Sequence, residues 1–532
     1  MNSCHSEDST IGILTRPSRF WETPWPFAGV LLLIHYALIL WGPLGISGDE
    51  AQYWLWSRHL SLGYYTKGPL LAWLMAVSRW IFGDTLLGVR AWAPIFSFTV
   101  TLLAWFFAWD VWKDRRAAWV ACLALSIIPI VFLGGMVFTT DVPMLTFWML
   151  TLWSVWRALA RGESWQWLLA GVWLGLGLLS KYNMGALPLA IFLVLLFSAE
   201  GRQQLSRKEP WLGALIALLI LSPNLYWNAT HHWVTMQATW GNVTGGQGGW
   251  QSIGTFLAGQ LGVLGVFPAI LLIFGLWRSR RLRTRGWTII MASSLLIWFF
   301  YLLKSATGQI DANWPAESYI GLWIWAAGSL ARLSRRYLIP AMFLPSLLIA
   351  AVLALPSAAS WGLSVPPHWL VPFKQTRGWN ALGRKVEQAL DEQHDSLIVT
   401  DFYQYSAALS FVLPGHPFVY YNDFSGTPAR NQYALWPHFS PRPGQRVLLL
   451  LSGLDQPLPL GARHYVDHCG TGQNIIARSQ NISWHHLTFY QCQGAGSQDR
   501  MVSGLPWPEL VKKIHSINEV ASSSTRSSSS ST

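Results

Sequence analysis

Apolar stretches of about 17 to 23 residues, the length that crosses roughly 30 Å of hydrocarbon as helix, recur from near residue 27 to near residue 357. About eleven can be counted by hydropathy and length, beginning near Phe27, Leu87, Ala117, Asp141, Trp165, Met184, Pro210, Gly254, Trp287, Trp314 and Tyr337. That rhythm predicts a polytopic α-helical membrane protein. Only 12% of residues are charged, about half the share usual in soluble domains, which excludes an ordinary soluble enzyme. The 35 Trp suit a chain whose indole rings settle at the lipid–water boundary. The polar leader, residues 1–26, is too long for a simple signal peptide and no small-residue cleavage site follows the first stretch, so that stretch is expected to stay uncleaved.

Orientation follows from the cations, because Lys and Arg flanking membrane segments stay in the cytoplasm. Alternate connections hold Lys113, Arg115 and Arg116; Arg157 and Arg161; Arg202, Arg207 and Lys208; Arg278, Arg280, Arg281, Arg283 and Arg285; then Arg332, Arg335 and Arg336. The intervening loops hold only Arg58, Lys67 and Arg79, then Lys181 and Lys304. The formal net charge of +12 is thus a mark of topology, and no nucleic-acid partner is expected. With the basic loops inside, the N-terminus is cytoplasmic, and an odd number of crossings places everything beyond residue 357 outside. One crossing more or fewer would flip that tail.

Residues 27–357 therefore read as the transmembrane domain, and residues 358–513 change character. SLIVTDFY, YQYSAALSFVL, PFVYY, RVLLLL and HLTFYQC read as short strands and helices between Pro, Gly and Asp turns, a small C-terminal α/β domain on the periplasmic side. Four Cys in the chain exclude a disulfide-built scaffold, and a bond between Cys469 and Cys492 is left open. Residues 514–532 are Ser-rich, low in complexity and expected to be disordered.

The chemistry is sought in polar groups kept where polarity is costly. The first outer loop, residues 46–86, is too long for a connector. Two of its segments, DEAQYWLWSRHL and GPLLAWLMAVSRWIFG, have the spacing and Trp/Arg flanks of helices lying in the interface plane. Asp49 and Glu50 open the first of these. A helix cap accounts for one carboxylate; a general base facing a lipid-borne substrate accounts for the second. Lys67, before Gly68 and Pro69 at a helix start, reads either as a phosphate site or as a lysine snorkelling to headgroups. Asp141 opens the fourth crossing, as a cap or as a second acid. Lys181 and Lys304 end crossings on the same face, and Asp311, Asn313 and Glu317 follow Lys304. SPNLYWNATHHWV adds Asn224, His231 and His232, but the His pair lacks i,i+4 spacing and an acidic partner, which argues against a metal.

Taken in order, SGDEAQYW, YYTKGPLLAWL, GVRAWAP, TTDVPMLTFW, LGLLSKYN and SPNLYWNATHHWV resemble the bacterial dolichyl-phosphate-mannose protein mannosyltransferase-like glycosyltransferases (family 39), the superfamily that includes the lipid A aminoarabinose transferases. The similarity runs from about residue 25 to residue 330, with an echo in ARNQYALWP. The resemblance implies the glycosyltransferase C fold, catalytic carboxylates in the first outer loop and a polyprenyl-phosphate-linked sugar as donor. It assigns Asp49 as the catalytic Asp, Glu50 as its neighbour, Asp141 as the acid of the second outer loop and Lys67 as the basic position of the aminoarabinose transferases. Where relatives carry Asp-His-Pro-Pro or an acid before the Lys, this chain has Thr66-Lys67-Gly68-Pro69, which speaks against a borrowed metal site.

The resulting expectation is a glycosyltransferase of the bacterial cell inner membrane acting on its outer face. The donor phosphate would be held by Lys67 and Lys304, with Arg90 and Lys181 as further candidates. Tyr53, Tyr64, Tyr65, Asn224, His231 and His232 would line the substrate cavity. The acceptor would be a lipid, glycan or protein, with membrane lipids as the remaining partners. No cofactor is required; a divalent metal is the alternative. A transporter or flippase of lipid-linked glycans is the rival class, disfavoured because the ionisable groups sit at the outer ends of crossings and no repeat is evident. An inactive relative that only binds glycan is the third.

Overall fold

The computed structural model describes residues 20–495, except 245–247, 283, 285, 309, 391–395, 427–428 and 480–481. Most of the leader, the Ser-rich tail and the end of the α/β segment thus lie outside the described residues.

Among the described residues, five helices are long and apolar enough to cross a membrane: Pro24–Trp41, Leu86–Trp112, Lys208–Thr230, Trp287–Ser305 and Arg336–Ala359. The count is seven if two bent pairs each make one span. These are Tyr182–Phe197 with Ala199–Leu205, bent by 116°, and Trp250–Leu264 with Val266–Ser279, bent by 98°. The sequence count of about eleven also takes in shorter or more polar helices. The stretch at Ala117 is divided before Pro129 into Arg115–Ile127 and Pro129–Gly134, since proline has no N–H to continue the ladder. Helix Asp141–Arg161 has 21 residues but carries charge at both ends.

Helix Ser318–Leu330 is the hub of the bundle, with all 13 residues buried. Its small residues let neighbours approach: Gly321 lies against Ser294 and Gly328 against the Trp112 ring. The Trp112 indole N–H then donates to the Ile324 carbonyl at 2.8 Å. Helices Gln166–Ser180 and Lys208–Thr230 cross at Gly171 and Gly213, where a Cβ on either would strike the other backbone.

Beyond the bundle a six-stranded sheet forms from β1 (Leu397–Thr400), β2 (Tyr420–Tyr421), β3 (Arg446–Ser452), β4 (Val466–Asp467), β5 (Gln473–Ser479) and β6 (Ile482–Gly494). The order is β2-β1-β3-β6-β4, with β5 also on β6. β1 runs parallel to β2 and β3; β6 is antiparallel to β3, β4 and β5. The run Val447–Leu451 in β3 is buried throughout, as a strand covered on both faces must be. Cys469 and Cys492 are joined, tying the turn after β4 to β6.

The first outer loop lies between these layers. Its helix Leu70–Phe82 shows lipid-type exposure at Val77, Trp80, Ile81 and Phe82, as expected of an interfacial helix. Helix Gly48–Arg58 does not: most of its residues are buried, because helix Tyr403–Val412 of the sheet unit packs onto it. The Trp residues that suggest an interface helix instead meet protein, Trp54 against Phe411 and Trp56 stacked on Tyr64.

Candidate active site

Ser47-Gly-Asp-Glu50 folds into a capping box. The Glu50 N–H donates to Ser47 Oγ at 3.1 Å, and the Ser47 N–H returns to Glu50 Oε2 at 3.0 Å, satisfying two donors that a helix start leaves open. The Glu50 carboxylate also takes Arg90 Nε at 2.7 Å, Arg90 Nη2 at 2.6 Å and the Phe138 N–H at 3.0 Å. Arg90 spends further donors on the Leu44 and Gly45 carbonyls. Both side chains of this pair are fully buried. Glu50, expected in the catalytic set, is saturated by donors, and Arg90, expected at the donor phosphate, is its buried counter-ion. The pair locks the first outer loop to the next helix and to the second outer loop.

Asp49, one residue away, points the other way and is exposed. It accepts one hydrogen bond, from Gln404 Nε2 at 2.9 Å. One turn on, Tyr53 is buried, and that burial, then the Asp49 and Asp141 carboxylates, hold its phenol protonated. Both acids thus act on one ring.

Asp141 stands in the first turn of Asp141–Arg161, where the helix dipole favours an acid. Its Oδ1 takes Lys181 Nζ at 2.6 Å and its Oδ2 takes Asn313 Nδ2 at 3.2 Å. Lys67 completes the group. It is half-buried, and its ammonium has no hydrogen bond or ion pair among the described residues. Burial and the Lys181 charge lower its pKa, while Asp141, Asp49 and Asp311 pull it back up. A cation so placed gains most from a bound anion. Beside Asp141 and Asn313 opens a cavity of about 250 Å³, walled mostly by apolar side chains including Phe96, Val100, Val131 and Leu145.

The remaining expected site residues make other contacts. Lys304 bonds Thr307 at 2.7 Å and is not among the charges that act on Lys67. Tyr64 is buried and turns its hydroxyl to the Trp56 and His59 carbonyls. Asn224 ties the Leu62 carbonyl to the Tyr182 hydroxyl, so it braces the loop. His231 stacks on Trp227 at 4.1 Å and engages that residue's carbonyl through Nδ1; His232 is exposed with φ of 54°. No cluster of three or more metal-type side chains occurs among the described residues. Tyr65 lies at the rim, its backbone N–H donating to Gln432 Oε1 at 2.8 Å. Sequence reasoning missed Gln404 and Gln432, which no local pattern marks, and gave Asn313 and Glu317 no role. Glu317 is fully buried with neither oxygen hydrogen-bonded.

The fold resembles that of ArnT from Cupriavidus metallidurans, solved bound to undecaprenyl phosphate, at a TM-score of 0.62 over 87% of this chain and 97% of that one, with 16% identity. The class is thereby set: a polytopic membrane protein of glycosyltransferase C fold. Residues 66–227 match the family model described as dolichyl-phosphate-mannose-protein mannosyltransferase, the family that the motifs resemble. Lipid A galacturonosyltransferase RgtD of Rhizobium johnstonii is 25% identical over 52% of this chain and 59% of its own length. An undecaprenyl phosphate-alpha-4-amino-4-deoxy-L-arabinose arabinosyl transferase of Pseudomonas savastanoi is 30% identical over 37% of this chain and 40% of its own. The chain thus spans about half the length of these curated relatives.

Proposed function

We propose that the protein moves a sugar from a polyprenyl-phosphate carrier to an acceptor at the outer face of a bacterial inner membrane, with inversion at the anomeric carbon. The observation that carries this is the unpaired Lys67 ammonium set among Asp49, Asp141 and Lys181. Lys67, with Lys181 beside it, takes the donor phosphate. Negative charge grows there as the glycosidic bond breaks, so cations already in place lower the barrier more than they stabilise bound donor. Asp49 accepts the proton of the acceptor hydroxyl or amine as that group attacks the anomeric carbon, and polyprenyl phosphate leaves with the bonding electrons. Asp141 holds Lys181 in place, and the apolar cavity beside it suits the prenyl chain.

The relatives named for undecaprenyl phosphate and for lipid A support a polyprenyl-phosphate donor and a lipid acceptor; a glycan or protein acceptor is the other arm of the test. The cation-rich loops support a cytoplasmic N-terminus, about eleven crossings and a periplasmic sheet unit. No cofactor is needed on this reading. Purified protein incubated with polyprenyl-phosphate sugars and lipid A is expected to release polyprenyl phosphate and to keep doing so in EDTA. A carrier or a glycan binder would release none, and a rate lost to EDTA and restored by Mg²⁺ would give the phosphate to a metal.

A further inference from the structure

The carboxylate assigned as base is held from outside the membrane bundle. Gln404, on the first turn of helix Tyr403–Val412, reaches Asp49 Oδ1 across 355 positions of sequence. It does so over Gly48: a Cβ at residue 48 would come within 2.8 Å of Gln404 Cβ, tighter than carbon atoms tolerate, so the lack of a side chain there opens the path. Two flanking contacts fix the approach. The Tyr65 N–H donates to Gln432 Oε1 at 2.8 Å, and Arg58 Nη1 donates to the His416 carbonyl at 2.9 Å. The first outer loop is therefore clamped to the sheet unit at both ends of its buried helix.

The remaining groups facing Asp49 are few. Tyr53 faces it from its own helix and Lys67 from the loop. Tyr403 faces it from the sheet unit, its phenol pushed up to about 12 by burial and by the Asp49 charge. An ionised carboxylate offers about four lone-pair sites, and Gln404 occupies one, on Oδ1. The carboxylate is thereby oriented while Oδ2 stays open to take a proton. An amide suits this task because it donates at every pH and adds no charge beside the base.

We propose that Gln404 is a positioning residue for the transfer: its amide fixes the orientation of Asp49, so that the sheet unit forms part of the catalytic centre. This rests on the reading of Asp49 as base, and the experiment separates the two. The full chain is purified in detergent as Gln404→Leu, Gln404→Glu and Asp49→Asn, and release of polyprenyl phosphate is followed against pH and donor concentration. Gln404→Leu is expected to lower kcat about 10- to 100-fold, the scale of a misplaced reacting group, with the donor KM within about twofold because the phosphate is held elsewhere. Gln404→Glu is expected to transfer at acid pH, where its protonated carboxyl donates as the amide does. It should then lose activity as pH rises and two carboxylates face each other. That pH limb distinguishes positioning from mere support of the fold, and it is read within one preparation even if Gln404→Leu folds poorly. A Gln404→Glu variant with the wild-type pH profile, beside an inactive Asp49→Asn, would overturn the inference and leave the base in place. A fully active Asp49→Asn would overturn both.

Discussion

The two ends of helix Asp141–Arg161, about 30 Å apart at 1.5 Å per residue, treat charge in opposite ways. At the Arg161 end every member of a five-residue group has an opposite charge within 4 Å: Asp110 meets Lys113, Arg157 and Arg161, and Glu163 meets Arg157 and Arg161. Trp153 adds its indole N–H to Asp110. At the Asp141 end Asp141 pairs with Lys181, and Glu50 with Arg90 nearby. Lys67, Asp49 and Glu317 have no ion-pair partner among the described residues. A compensated cluster is finished, whereas charges left uncompensated hold free energy in reserve for a ligand. The contrast supports the proposed site at the Asp141 end without reference to any relative.

The strongest challenge is at the base. Asp49→Asn is expected to reduce transfer about 1,000-fold, within the range of general-base contributions, with an unchanged melting curve. Undiminished turnover at matched expression would remove the base from the proposed site. Next is the saturated neighbour. Glu50→Gln leaves Arg90 buried without a counter-charge, a loss of about 3–5 kcal/mol that should appear as a lower melting temperature, while molecules that stay folded keep the wild-type kcat. A stable Glu50→Gln protein with collapsed kcat would return Glu50 to the chemistry.

Lys67→Ala should weaken binding of polyprenyl phosphate about 30-fold, the scale of a lost charge-assisted contact. Because burial and Lys181 lower the Lys67 pKa, the proton leaves at a lower pH than from a free lysine. Binding is therefore intact below that lowered value and falls as pH rises through it. Lys67→Arg, whose guanidinium keeps its proton, should hold binding at the alkaline end; an identical alkaline limb in both proteins would show that another group sets it. The smallest effect is expected at the far end of the helix. Arg161→Ala should cost under about 1 kcal/mol, as for partly exposed pairs, and leave transfer unaltered. A large loss of activity there would break the contrast between the two ends.

The features readable from sequence were those with local causes. Ser47 and Glu50 lie three apart, the spacing of a capping box, and the expectation that one of the two adjacent acids serves the helix start is met by Glu50. The runs read as short strands and helices form β1, β2, β3, β6 and helix Tyr403–Val412. What was not readable depends on pairings distant along the chain. Arg90 meets Glu50 over 40 positions, Lys181 meets Asp141 over 40 and Gln404 meets Asp49 over 355. A charged residue at a membrane boundary looks alike whether it will face a ligand, a lipid or a buried partner, and only packing separates Arg90 from Lys67. Helix Gly48–Arg58 differs from its interfacial reading for the same reason, because no local pattern shows the sheet unit that covers it.

The bond between Cys469 and Cys492 has a consequence for life at high concentration. β4 has two residues and pairs with β6 through Val466 and Asp467, flanked by the Gly470 N–H donating to the Gln491 carbonyl and the Ala495 N–H donating to the Tyr465 carbonyl, a short edge. Covalently pinned beside β6, it keeps shielding that rim of the sheet, and a strand from a neighbouring molecule finds fewer free amides and carbonyls on which to grow an aggregate.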